Sequence, residues 1–199
     1  MGIAYNTSTV RDGLVLHLDA ANKKSYSGTG TTWKDLSSNN KNFTIDSTNV
    51  AYNTLGYFSL TDAGFSINSN ITTSTTSTCV YWIKTTDVQS LFLHRTDVDA
   101  YLGAYRSANK FYNSNAGTPT FHMDGIQYSN IYDNILDGKW HMVEFKNANI
   151  SAWQTAAFSK YSLYSFSSTD ISNISIYNKN LTTQESLQNF NALRGRYGI

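Results

Sequence analysis

The chain has 199 residues, a formal net charge of +1 and only 15% charged residues, against about a quarter in an average globular protein. That near-neutral balance lacks the basic footprint of a nucleic-acid binder, and no apolar run approaches the roughly 18 residues needed to cross a bilayer. The single cysteine, Cys79, excludes a disulfide framework or a cysteine zinc knuckle, while 14 Tyr, 10 Phe and 4 Trp supply a core.

Asn, Ser and Thr make up roughly a third of the residues, replacing the usual charges. The opening MGIAYNTSTV has neither the basic nor the apolar stretch of a secretory signal, which points to folding in a reducing cytoplasm. The only proline is Pro119, and no linker or charge run divides the chain, so one domain over 1–199 is expected.

Alternation dominates in chain order. In GLVLHLD, Leu14, Leu16 and Leu18 share one face. The run Thr72–Thr78 reads as a loop entering a strand, TCVYWIK, where Cys79, Tyr81 and Ile83 alternate with Val80, Trp82 and Lys84. In KWHMVEFK, Trp140, Met142 and Glu144 alternate with His141, Val143 and Phe145, and ISNISIYN (171–178) is a further strand. Shorter strands are expected around 57–60, 64–67, 90–94, 100–105, 110–113, 119–123, 126–129 and 160–165. Asp124-Gly125 between two of them is a two-residue hairpin signal, because the tight turn requires positive φ.

One helix is expected, at 182–194. Thr182 and Glu185 have capping-box spacing, Leu187, Phe190 and Leu193 follow at helical intervals, and Gly195 is a natural stop. Residues 1–10 and the tail 195–199 lie outside the sheet pattern and read as docking arms or frayed ends. Many short strands with one small helix predict an all-β, two-sheet antiparallel sandwich.

Three blocks carry a resemblance. They are DGLVLHLDAANKKSYSGTGTTWKDLSSNNKNFTI (12–45), TCVYWIKTTD (78–87), and DGKWHMVEF (137–145) with ISNISIYNKNLTTQESLQNFNALRGRYG (171–198). Together they resemble the laminin-G-like, concanavalin A-like jelly-roll family, and look most like modules in structural proteins of tailed bacteriophages. The resemblance implies a jelly-roll sandwich with a concave sheet on which many relatives bind carbohydrate. It also implies a place on a virion exterior.

The residues themselves narrow the chemistry. Glycosidic hydrolysis uses two carboxyl groups about 5–9.5 Å apart. The only glutamates are Glu144, unpaired along its strand, and Glu185, occupied by the helix cap, so no catalytic residue is assigned. His17, His94, His122 and His141 fall in or beside strands, and no GxSxG or HExxH pattern occurs. Cys79 reads as a small core residue, as do Trp33, Trp82 and Trp140. Asp97 and Asp99 offer two carboxylates on one side of an extended chain, against the six to eight oxygens calcium needs. They read as a solvated loop, with a weak rim Ca²⁺ site as the alternative and no other cofactor. Candidate sugar contacts are Tyr101 and Tyr105, four apart on one strand face, with Tyr112, Asn113, Tyr128 and Tyr132 in neighbouring polar segments. Aromatic faces pack on sugar C–H groups while amides bond the hydroxyls. The competing reading is that these tyrosines merely cover a charge-poor surface.

The expected function, implied by the resemblance, is a non-enzymatic virion structural protein, such as a phage capsid decoration or accessory protein. It would sit on the virion surface after assembly in the host cytoplasm. Its partners would be other virion proteins of capsid, neck or tail, with homo-oligomerisation open and no nucleic acid or membrane. The alternative is a lectin-like receptor-binding module of a tail or fibre, recognising host surface carbohydrate. Replacing Tyr101 and Tyr105 with alanine separates the two. Glycan binding is lost under the lectin reading, whereas particle attachment measured by co-sedimentation persists under the decoration reading.

Overall fold

The computed structural model describes residues 8–46, 48–61, 63–86, 91–95, 100–105, 111–129, 135–158, 160–161, 164–165 and 169–199. The first strands are β1 (Leu14–Asp19), β2 (Thr32–Trp33), β3 (Phe43–Ile45), β4 (Val50–Asn53), β5 (Tyr57–Leu60) and β6 (Phe65–Ile67). The middle of the chain supplies β7 (Ser77–Thr85), β8 (Leu91–His94), β9 (Tyr101–Tyr105), β10 (Phe111–Ser114), β11 (Gly117–Met123) and β12 (Ile126–Tyr128). The last are β13 (Trp140–Ala148), β14 (Ala156–Phe158), β15 (Lys160–Tyr161), β16 (Tyr164–Ser165) and β17 (Thr169–Tyr177). Helix α1 (Thr183–Leu193) follows, continued by a 3-10 turn over Arg194–Tyr197.

The first sheet runs β12-β11-β13-β7-β17-β5-β4, with β1 also paired to β17, and the second runs β10-β9-β8-β14-β6-β3-β2. All pairings are antiparallel, giving the expected jelly-roll-like sandwich. The turn at Asp124-Gly125 joins Met123 to Ile126 with φ of 53° and 82° at its two central residues, as that dipeptide predicted. Pro119 sits where the register between β11 and β13 slips, a position that requires no ladder donor.

Between the sheets lies an aromatic core. Trp33 stands 4.9 Å from both Phe58 and Phe65, and Tyr81 stacks on Phe158 at 5.5 Å. Such pairs contribute about 0.5–1.5 kcal/mol each beyond area burial. Cys79 and Trp153 are buried in the same cluster, and burial pushes the Cys79 thiol up to about 12. The Trp33-Lys34-Asp35 stretch is fixed from below by Trp33 and from above by Asp35. The Asp35 carboxylate accepts from the N–H groups of His17, Ser37 and Lys41 at 2.8–2.9 Å.

A second cluster occupies the outer face of the first sheet. Val80, Trp82, Met142 and Tyr177 are covered there by Val10, Leu181, Phe190, Leu193 and Tyr197. The Trp82 ring lies 4.4 Å from Tyr197 and 5.9 Å from Phe190, stacked on both. Trp82 is fully buried, as expected of a core residue, but in this second cluster rather than between the sheets. The capping box forms as expected: Thr182 Oγ1 accepts from Glu185 N–H, and Glu185 Oε2 accepts from Thr182 N–H.

Three expectations are corrected. Leu187 is 40% exposed, and the most buried positions of α1 are the polar Ser186 and Asn189. Asn189 Oδ1 accepts from Val10 N–H at 2.8 Å, and its Nδ2 donates to the Tyr177 hydroxyl at 3.1 Å, so hydrogen bonding selects that face. The tail is not an arm: Arg196 makes a bidentate pair with the buried Asp19 at 2.8 and 3.1 Å. The 160–165 strand is a separate short hairpin, β15 with β16.

Tyr197→Ala removes the ring covering Trp82 and is expected to cost roughly 2–4 kcal/mol. Leu187→Ala should change stability by no more than about 0.5 kcal/mol. Urea unfolding midpoints of the two variants check this.

Candidate functional site

Of the tyrosines expected to contact sugar, the side chains of Tyr101 and Tyr128 are described, and they lie on strands of different sheets. Tyr101 is half-buried on β9, registered with His94 on β8 and Ser114 on β10. Asn113 is close by, but its Oδ1 accepts from Gly103 N–H at 3.0 Å and so closes the β9–β10 edge. Tyr128 stands apart from Tyr101. It belongs to the other sheet, registered with Phe121, and packs against the core because Phe121 itself lies 5.2 Å from Phe145. The side chains of Tyr105 and Tyr112, and all of Tyr132, Asp97 and Asp99, lie outside the described residues.

A different set of groups does converge. Register aligns Trp140 with Lys84, Lys84 with Asp170 and Asp170 with Ser59, one row across β13, β7, β17 and β5. Lys84 Nζ lies 2.8 Å from Asp170 Oδ2, and Ser59 Oγ donates to Asp170 Oδ1 at 2.6 Å. The same ammonium stands 5.7 Å from the Trp140 ring and 5.5 Å from the Tyr57 ring. Trp140 and Tyr57 are half-buried, in edge contact at 5.6 Å, and Tyr197 backs Trp140 at 4.8 Å. Beside the row, Lys84, Thr85, Thr86, Gly138 and Asp170 line a cleft of about 250 Å³. The row is partly exposed, the Lys84 and Asp170 side chains by 34% and 17%.

The sequence reading missed this row and took Trp140 for core. A usable signal was that Lys84 is the one charged residue of β7 and Asp170 the one charged residue of β17, each next to the end of a strand otherwise buried. Opposite charges at the ends of two buried strands invite pairing.

Deeper under α1, register aligns His122, Glu144, Val80, Ser175 and His17 across five strands. Glu144 is fully buried, and its oxygens accept no hydrogen bond among the described residues. The Ser186 hydroxyl is near but outside bonding geometry. Burial, only partly offset by Lys146 and Ser186, pushes this carboxyl up to about 7. Lys146 donates to the Leu181 carbonyl at 3.2 Å, and burial holds its ammonium below the usual range. Burial also pushes His122 and His94 down to about 4, so both are neutral at pH 7. His141 behaves oppositely: burial lowers it, but the Asp124 and Asp137 carboxylates at 2.8 and 3.1 Å outweigh that and raise it. Among the described residues no group of three His, Cys, Asp or Glu is placed to hold a metal ion.

Comparison with solved structures recovers the sandwich. A sialidase of Trypanosoma rangeli in complex with the inhibitor DANA matches over 92% of this chain at 14% identity and a TM-score of 0.57. A mutant of that enzyme displaying trans-sialidase activity matches over 100% at 14% identity and a TM-score of 0.60. The chain spans about a third of these proteins' length, 33% and 35%. Domain 4 of AbnA, an extracellular GH43 arabinanase of Geobacillus stearothermophilus in complex with arabinotriose, matches as a whole. Coverage is 87% of this chain and 96% of that one, at 13% identity and a TM-score of 0.57. At such identities the likeness establishes a shared two-sheet β-sandwich architecture. No family model and no curated protein sequence matches the chain.

Glu144 generates a pH prediction. The unfolded chain releases this proton near 4.5, the folded protein near 7, so the folded state binds it more tightly between those values. Its contribution to stability is full below pH 4.5 and is lost as pH rises to about 7. Glu144→Gln should therefore gain on the wild type across that window, by on the order of 3 kcal/mol at pH 8. Denaturant unfolding at several pH values reads the difference.

Proposed function

We propose that this chain is a non-catalytic carbohydrate-binding sandwich whose contact surface is the Trp140–Lys84–Asp170–Ser59 row. The observation that carries the reading is the pairing of half-buried aromatic rings with an adjacent cation and carboxylate at 2.8 Å. Vicinal sugar hydroxyls both donate and accept, which an ammonium beside a carboxylate satisfies together, while ring C–H groups pack on Trp140 or Tyr57. The cleft of about 250 Å³ admits a single sugar ring. Glu144, the acid nearest to a catalytic expectation, is sealed beneath α1 and away from that cleft.

For the setting, the resemblance of 12–45 and 171–198 to tailed-phage modules favours a virion surface. There many copies would multiply weak individual contacts. Co-sedimentation of the tagged chain with particles tests that part separately.

A glycan array with the protein presented multivalently, followed by calorimetry on the best oligosaccharide, tests the site. Asp170→Asn and Trp140→Ala should each weaken binding at least tenfold, while Tyr101→Ala leaves it unchanged. Binding should also survive a chelator, because no group of the row needs a cation. Loss with Tyr101→Ala alone would move the site to the β9–β10 edge. Loss with chelator alone would move it to a calcium held near Asp97 and Asp99.

A further inference from the structure

The segment joining β1 to β2 carries the sequence KKSYSGTGTTWK (23–34), which the row above does not use. It is folded tightly despite its polar composition. Ser25 is fully buried, accepting from Asp19 N–H at 3.1 Å and donating to the Lys34 carbonyl at 2.6 Å. Lys34 N–H returns a bond to the Ser25 carbonyl at 2.8 Å. The Tyr26 ring is driven into the core, 4.8 Å from Phe58, and its hydroxyl donates to the Gly30 carbonyl at 3.0 Å. These ties hold a hollow of about 200 Å³ whose lining includes Lys23, Lys24, Lys34, Ser27, Thr29 and Thr32, and no carboxylate.

Three lysines exposed around one hollow raise the local positive potential, which favours an anion there. Among the described residues none of the three is paired with an acid, although three other lysines and one arginine are. Lys23 is moreover held in place: its Nζ lies 5.7 Å from the Tyr52 ring, and 3.6 Å from where a Gly28 side chain would begin. Gly30 lines the hollow with bare backbone and Gly28 lies between the lining residues Ser27 and Thr29; among the described residues neither N–H donates a hydrogen bond. Cations, hydroxyls and backbone donors without a counter-charge make an anion receptor.

We propose that this hollow binds the acidic substituent, a carboxylate or a sulfate ester, of an acidic polysaccharide. The proposal rests on the carbohydrate reading for the polymer, but uses a site separate from the Trp140 row. Affinity at the hollow falls with salt, unlike stacking and hydroxyl contacts at the row.

The test is an NMR titration of the whole chain with four probes. They are inorganic sulfate, oligogalacturonate, a heparin-derived oligosaccharide and a neutral galactan oligomer of equal length. At least one acidic oligomer should shift the Gly28 and Gly30 amides and bind tenfold or more tighter than the neutral one. Response to oligogalacturonate assigns the carboxylate; response confined to sulfate and the heparin fragment assigns the sulfate ester. The double variant Lys23→Gln/Lys34→Gln should lose at least tenfold in affinity and most of its salt dependence. Lys41→Gln/Lys139→Gln, which removes equal charge elsewhere, should lose less than twofold. Silence at Gly28 and Gly30 with every acidic probe, or equal losses in the two double variants, overturns the proposal. If Trp140→Ala fails to affect neutral oligomers while the lysine effect stands, only the reading of the row falls.

Discussion

The stacking of Tyr197 and Phe190 on Trp82 is the contact from which the arrangement of this molecule follows. An antiparallel sheet normally keeps one face in water. Here β7 places Cys79, Tyr81 and Ile83 toward the core and Val80 and Trp82 away from it, and both sets are buried. A large indole on an outer face demands a cover, and the C-terminal segment is that cover. The Arg196 pair with Asp19 and the Asn189 bonds to Val10 and Tyr177 then set where the cover lies.

The extent of the cover sorts the outer face into two chemistries. Beneath α1 the sheet carries Glu144 and Lys146 in an almost anhydrous space, where the carboxyl keeps its proton to about pH 7. Past Tyr197 the same sheet carries Lys84 and Asp170 paired beside Trp140 and partly exposed. The strands and their alternation are common to both regions. What differs is water, and with it whether a charged group stores a pH dependence or offers itself to a ligand.

Sequence patterns reached the long elements for a physical reason. Strands β1, β7, β13 and β17 are long enough for a period of two to be seen, and Thr182 with Glu185 is a local cap. Strands β2, β3, β4 and β14 have two to four residues, too few for alternation, and exist because neighbours supply ladder partners. The underside of α1 misled because Ser186 and Asn189 are buried for their hydrogen bonds and shape, while Leu187 faces out. The Trp140–Lys84–Asp170–Ser59 row was illegible for a different reason. Its members are 25 to 111 positions apart in the chain and meet only through inter-strand register, which no single segment encodes. The lysines of 23–34 were in view throughout, but their lack of counter-charges is a property of three dimensions.

The position of β17 has a consequence for how the chain is made. This strand bridges β7 on one side and both β1 and β5 on the other, so it is the spine of its sheet. It also follows all of its partners in the chain, so it leaves the ribosome after them. Until then the nascent chain holds β1, β5 and β7 with unmatched edges, which are templates for wrong pairing with another chain. Closing those edges demands contacts spanning up to about 160 residues, the kind of topology that folds slowly.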